Sequence, residues 1–195
     1  MIYGDPYKFA LQFDAVKCWN EYKQFWIGSV FTVYIEGKIF FPSSIDVPNV
    51  TLNIGFGAYQ INIDKWLSRA INTDKEIEVE IDLNRNPGEV CEEIYEKAYG
   101  RIDDEEDVNI DEKDFRIKNF LDLTSMELMD EGHHIFCFLL DDNDIIFYGT
   151  SDHIKDSKKA VLPKGTIREL LEDIAKYPLI PPYRISWGEN YHYYP

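Results

Sequence analysis

His133 and His134 stand side by side behind Asp130 and Glu131, and they are the residues of this chain whose types most readily do chemistry. An imidazole beside a carboxylate can hold a metal ion or act as a general base, and Asp152-His153 offers the same combination. Adjacent residues on a strand face opposite ways, however. The two histidines of 133–134 therefore cannot converge on one ion without a bend, and the expectation is a pair of structural histidines. Asp103, Glu105, Asp107, Asn109 and Asp111 are spaced like the alternate ligands of a calcium loop. In that register Val108 falls where the sharp turn needs glycine, and Asp114 stands where the loop closes on glutamate, so a solvated acidic loop is expected over 101–114. No G-x-S-x-G elbow, phosphate-binding G-x-x-x-x-G-K-[ST] loop, G-x-G-x-x-G turn or H-E-x-x-H pair occurs. Cys18, Cys91 and Cys137 are odd in number and widely spaced within apolar or amphipathic segments, which fits buried thiols better than a disulfide framework or a zinc site. The expectation is a protein with no catalytic residue, no cofactor and no metal.

Charge is the strongest global signal. The 195 residues carry 36 acidic and 20 basic side chains, a formal net charge of −16. Of that, −14 lies between Glu76 and Glu131, where 20 acidic residues face 6 basic ones. Such a field repels nucleic acid and membrane surfaces and attracts cationic partners from a distance. The candidate contact residues are the carboxylates Glu76, Glu78, Glu80, Asp82, Asp103, Asp104, Glu105, Glu106, Asp107, Asp111, Glu112 and Asp114. Trp187 and Tyr191 in the aromatic tail join them as anchors of the kind protein interfaces use, although the same rings could pack the tail onto the core. No stretch reaches the ~18 unbroken apolar residues of a membrane span and no cationic start precedes an apolar run, so a cytoplasmic protein is expected.

The elements that must position these groups follow from period and turn chemistry. Phe25 to Pro42 holds two β-branched and aromatic runs around Glu36-Gly37-Lys38, where Gly37 can take the positive φ of a tight hairpin. Met1 to Asp14 alternates Phe9, Leu11 and Phe13 with polar or small residues and reads as one opening strand paired with that hairpin. Val50 to Ile54 alternates again, and Asn62 to Ile71 has helical spacing. Glu76 to Leu83 alternates strictly, acidic against apolar, as a half-buried strand with a carboxylate outer face. Asn86-Pro87 opens a helix that ends at Gly100. The apolar residues of Phe115 to Met129 fit neither period. His134 to Leu140 and Asp144 to Tyr148 form a second hairpin about Asp141-Asp142-Asn143, a set able to take left-handed angles. Thr166 and Glu169 have the spacing of a capping box ahead of Ile167, Leu170, Leu171 and Ile174. Hairpin followed by helix thus occurs twice. The fold class is α+β, an antiparallel sheet of hairpins with packed amphipathic helices, and the length favours a single domain over 1–195.

The opening M-I-Y-G-D-P-x-x-F-A-L, followed by Trp26, Gly28, Phe31 and the Ile35-Glu36-Gly37 turn, resembles the start of the immunity protein 42 family of bacterial polymorphic-toxin and contact-dependent inhibition systems. The resemblance implies a small α+β protein that binds and neutralises a cognate toxin domain inside the producing cell. Local acidity fits a basic toxin such as a nuclease, inhibited by stoichiometric occlusion. A SUKH-type or other acidic adaptor that binds a different protein shares this fold class and charge, and a small enzyme using His133 or His134 is the rival of another class. The oligomeric state and the face used stay open.

Overall fold

A computed structural model describes residues 1–15, 29–42, 51–52, 77–99, 115–124, 126–175, 183–184 and 192–193. The predicted helix at 62–71, the acidic stretch 101–114, Cys18, Trp187 and Tyr191 lie outside the described residues, as does Glu76.

The predicted opening strand is two strands. β1 (Ile2–Asp5) turns at Pro6 and returns as β2 (Phe9–Ala15), antiparallel, with Tyr3 opposite Leu11. Pro6 has no N–H to offer a ladder, and the Asp5 carboxylate accepts the Tyr7 N–H at 2.9 Å, which closes the turn locally. β2 pairs with β3 (Ser29–Ile35), and β3 with β4 (Lys38–Phe41) across the expected hairpin, its turn only Glu36 (φ 51°) and Gly37 (φ 77°), both left-handed, with Lys38 already in the strand. β5 (Thr51–Leu52), within the predicted 50–54 strand, also pairs with β3. Gly4 has a φ of +85°, and a Cβ there would stand 2.5 Å from the Phe9 carbonyl oxygen and 2.7 Å from Leu170 Cδ1. Gly4→Ala is expected to cost about 1–2 kcal/mol from the backbone alone, with the contacts adding to it. Gly37→Ala, whose nearest contact is Tyr7 Cδ1 at 3.4 Å, should cost less, and paired thermal midpoints would show the order.

The second sheet runs β11-β10-β9-β8, all antiparallel: β8 (Phe120–Asp122), β9 (His133–Leu139), β10 (Asn143–Thr150) and β11 (Lys158–Pro163). The predicted 134–148 hairpin is its centre, in register Asp144 to Leu139. Its turn is closed by the Leu140 N–H on the Asn143 carbonyl at 3.0 Å, and none of Asp141, Asp142 and Asn143 takes the left-handed angles expected of them. The 3-10 turn Ser151–Asp156 and β11 carry no strong period and were not predicted.

Residues 115–129, ambiguous in sequence, are β7 (Phe115–Ile117), a turn with Asn119 at φ 57°, β8, and the short helix α2 (Met126–Asp130) that follows α1 (Pro87–Tyr99). The predicted strand 76–83 is cut to β6 (Ile77–Val79), paired parallel to β7. Its alternation survives as exposure, with Glu78, Glu80 and Asp82 exposed and Val79, Ile81 and Leu83 half-buried. Pairing stops at Val79 because β7 ends at Ile117 and turns at Lys118–Asn119; further on, the Lys159 ammonium holds Leu83 through its carbonyl at 2.8 Å. β12 (Tyr183–Arg184) and β13 (His192–Tyr193) pair with each other.

Apolar residues sort into two clusters, one on each face of the second sheet. Ile135, Cys137, Ile146, Ala160 and Leu162 meet Phe9, Leu11, Phe31, Val33 and Phe41 of the first sheet, closed along the side by Ile167, Leu170 and Ile174 of α3 (Thr166–Ala175). Phe136, Phe138, Ile145 and Phe147 on the opposite face are covered by Val90, Cys91 and Ile94 of α1. The Tyr148 hydroxyl donates to Glu36 at 3.2 Å and so ties the second sheet to the turn of the first; burial, with Glu36 beside it, pushes this phenol up to about 12.

The predicted α1 start holds: the Asn86 side-chain oxygen accepts the Gly88 N–H at 2.9 Å. The predicted capping box of α3 does not form. The Thr166 hydroxyl donates to the Pro163 carbonyl at 2.6 Å, and the Ile167 N–H is taken at 2.8 Å by Asp144, a buried carboxylate on β10. Among the described residues no helix is long and apolar enough to cross a membrane.

Candidate functional site

β9 places its histidines back to back. His133 points toward the first sheet, edge-on to Phe40 at 5.2 Å and Phe41 at 5.5 Å, and its Nδ1–H donates to the Glu131 carbonyl at 3.0 Å. His134 points the other way, toward α1, stacked on Phe136 with centroids 5.0 Å apart and edge-on to Tyr95 at 5.7 Å. Its Nε2 lies 3.1 Å from Ser157 Oγ, whose own hydrogen goes to the Ile154 carbonyl at 2.6 Å, so the ring is the donor. The two imidazoles thus lie on opposite faces, as strand alternation requires. Cys91 also hydrogen-bonds Ser157, and its thiol is pushed up to about 11, chiefly by burial. Serine, histidine and cysteine meet here, but the His134 nitrogen beside Ser157 already carries a hydrogen and cannot take one from it. The His153 side chain is exposed on the 3-10 turn. Cys137 is buried with its thiol pushed well up, again by burial first, so Cys91 and Cys137 are the buried free thiols expected. Among the described residues no group of three histidine, cysteine or carboxylate side chains could hold a metal ion.

The carboxylates make a different arrangement. Glu89, Glu92 and Glu96 are exposed along one side of α1, because Val90, Cys91 and Ile94 turn the other side onto the sheet. Between this side and β6 runs a groove of about 680 Å³ lined by Val79, Arg85, Glu89, Glu92, Glu93, Glu96 and Lys97. Glu93 is held in it by Arg85 and Lys97 together. Burial works against its charge, yet the Lys97 hydrogen bond and the two cations outweigh burial and keep the carboxyl below its ordinary range. On the strand side Glu80 meets Lys118 at 2.8 Å, which lowers the carboxyl and raises the ammonium, with the Glu78 charge adding to the latter.

The predicted contact residues therefore divide. Glu78, Glu80 and Asp82 are exposed on the run that leads into α1, with Glu80 partnered by Lys118. Asp103, Asp104, Glu105, Glu106, Asp107, Asp111, Glu112, Asp114, Glu76, Trp187 and Tyr191 are outside the described residues. The α1 glutamates Glu89, Glu92 and Glu96 were not among the candidates. Their i, i+3, i+7 spacing on a predicted amphipathic helix was the available signal.

This fold and surface define an acidic α+β protein in which His133 and His134 are packed inside while Glu78, Glu80, Asp82, Glu89, Glu92 and Glu96 face outward. A family model described as Immunity protein 42 matches residues 1–177, and the chain belongs to that family. It is an immunity protein, with the toxin-neutralising role that the family name carries. The crystal structure of CdiI from Burkholderia dolosa AUO158 shares the fold, with a TM-score of 0.61 and 20% identity over 91% of this chain and 100% of that one. No curated protein matches the chain.

Proposed function

We propose that the chain neutralises its cognate toxin by stoichiometric binding, its carboxylate face set against a basic toxin domain, with no turnover of its own. The observation that carries this reading is the exposed row Glu89, Glu92 and Glu96 beside Glu78 and Asp82 in a chain of net charge −16. A row of like charges strains the free protein through self-repulsion, and a cationic partner relieves it. The acidic run continues in sequence to Asp103–Asp107 and Asp111–Asp114, and the proposed face extends with it; Trp187 and Tyr191 serve as aromatic anchors.

Cells expressing the toxin encoded beside this chain should survive when the chain is co-expressed, and the two should co-purify at one to one. Survival without a stable complex would overturn inhibition by occlusion. Raising salt from about 50 to about 500 mM should slow association roughly tenfold or more while dissociation changes little, because screening acts on the long-range attraction. Stopped-flow traces with an unchanged association rate would remove the basic-partner claim and leave the binding itself in place.

A further inference from the structure

We propose that His134 is an acid-sensitive latch that holds α1 on the second sheet, so that protonating its ring releases the helix while the two sheets stay packed together. The ring is completely buried at a junction of several segments. From α1, Tyr95 meets its edge and Cys91 reaches it through Ser157; from β9, Phe136 stacks on it and His133 adjoins it in the chain; Ser157 comes from the turn before β11. Gly149 lies opposite on β10, and a Cβ there would stand 2.8 Å from Ser157 Oγ and 3.3 Å from His134 Cε1, so only glycine lets these groups close up.

The decisive feature is the other nitrogen. His134 Nδ1 is buried with no hydrogen-bond partner. A proton added there gains neither an acceptor nor a counter-charge in contact, and the junction must open to hydrate it. The titratable groups facing the ring do not supply that charge in acid. The Cys91 thiol and the Tyr95 phenol are pushed up to about 11 and about 12, chiefly by burial, and stay neutral. Two carboxylates act on these partners of the ring, Asp122 on Tyr95 and Glu92 on Cys91. Burial first, and then His133, pushes the His134 imidazolium down to about 4 from the ordinary 6.5.

The released state, with a hydrated ring, binds the proton more tightly than the closed one. The latch is therefore fully closed above about pH 6.5, and the release equilibrium rises about tenfold for each pH unit down to about pH 4, where it levels off. The first sheet is spared because its cluster with the opposite face of the second sheet contains neither His134 nor α1. Release would also carry Glu89, Glu92 and Glu96 away from their places. That consequence rests on the docking face proposed above; the release itself does not, and it is read without any toxin.

The test is amide hydrogen exchange of the free protein from pH 4 to 7, corrected for intrinsic exchange, in the native chain and in His134→Gln. Glutamine keeps an N–H for Ser157 and does not titrate. Protection over 90–98 should fall about tenfold per pH unit in the native chain while β3 stays protected, and should be flat in the variant. Simultaneous loss in α1 and β3, a flat native profile, or a slope that persists in His134→Gln would overturn the latch, the last assigning the step to Asp122 or Glu92. Should His134→Gln fail to fold, the native ring is titrated by NMR against α1 exchange. Coincident midpoints support the latch, and a ring that titrates while the helix stays protected refutes it.

Discussion

Phe136→Ala is expected to lower the unfolding free energy by about 3–5 kcal/mol, the largest effect of any single substitution considered for this chain. The ring is 1% exposed and sits where α1 meets the sheet, stacked on His134, edge-on to Tyr95 at 5.3 Å and tilted against Phe120 at 5.8 Å. Removing it loses transfer free energy and leaves a cavity whose walls are aromatic rings on a strand, a helix and a neighbouring strand, which cannot all move inward together. A urea transition should show the midpoint drop with an unchanged slope. A loss under about 1 kcal/mol would mean that the helix settles onto the gap and that the layer is far softer than its packing implies. Phe120→Ala, at a half-buried position, should cost distinctly less.

Asp144→Ala is expected to cost about 2–3 kcal/mol, with Asp144→Asn losing roughly half of that. The Asp144 carboxylate is 2% exposed and accepts the Ile167 N–H at the start of α3, where Ile167 is itself fully buried. Alanine leaves that N–H without an acceptor away from water and removes a negative charge from the positive end of the helix; asparagine keeps the acceptor and loses the charge. Thermal or urea unfolding of both variants against Thr166→Ala decides the point. A Thr166→Ala cost greater than that of Asp144→Ala would return the cap to the local residue.

Much of this fold was legible because hairpins are written in contiguous residues. Glu36-Gly37 dictates a tight turn, and the alternation on either side of it chooses the face. The same logic separates His133 from His134 and turns them to opposite faces of the second sheet. The 115–129 region was illegible because a three-residue strand, a turn and a five-residue helix are each shorter than the window in which a period can be recognised. The candidate site was half legible: the acidity could be counted and the spacing of Glu89, Glu92 and Glu96 sets them on one side of a helix, but only the structure shows that Arg85 and Lys97 are spent on Glu93.

By itself the amino-acid order determined the hairpins, the helix starting at Asn86, the buried thiols at 91 and 137 and the concentration of negative charge between 76 and 131, since each depends on neighbours within a few residues. Only the tertiary structure decided that β6 runs parallel to β7, that α3 is capped from β10, and that His134 closes against Ser157 and Tyr95. Those outcomes join residues tens of positions apart, and what selects them is the burial of two apolar faces of one sheet, a quantity no local stretch contains.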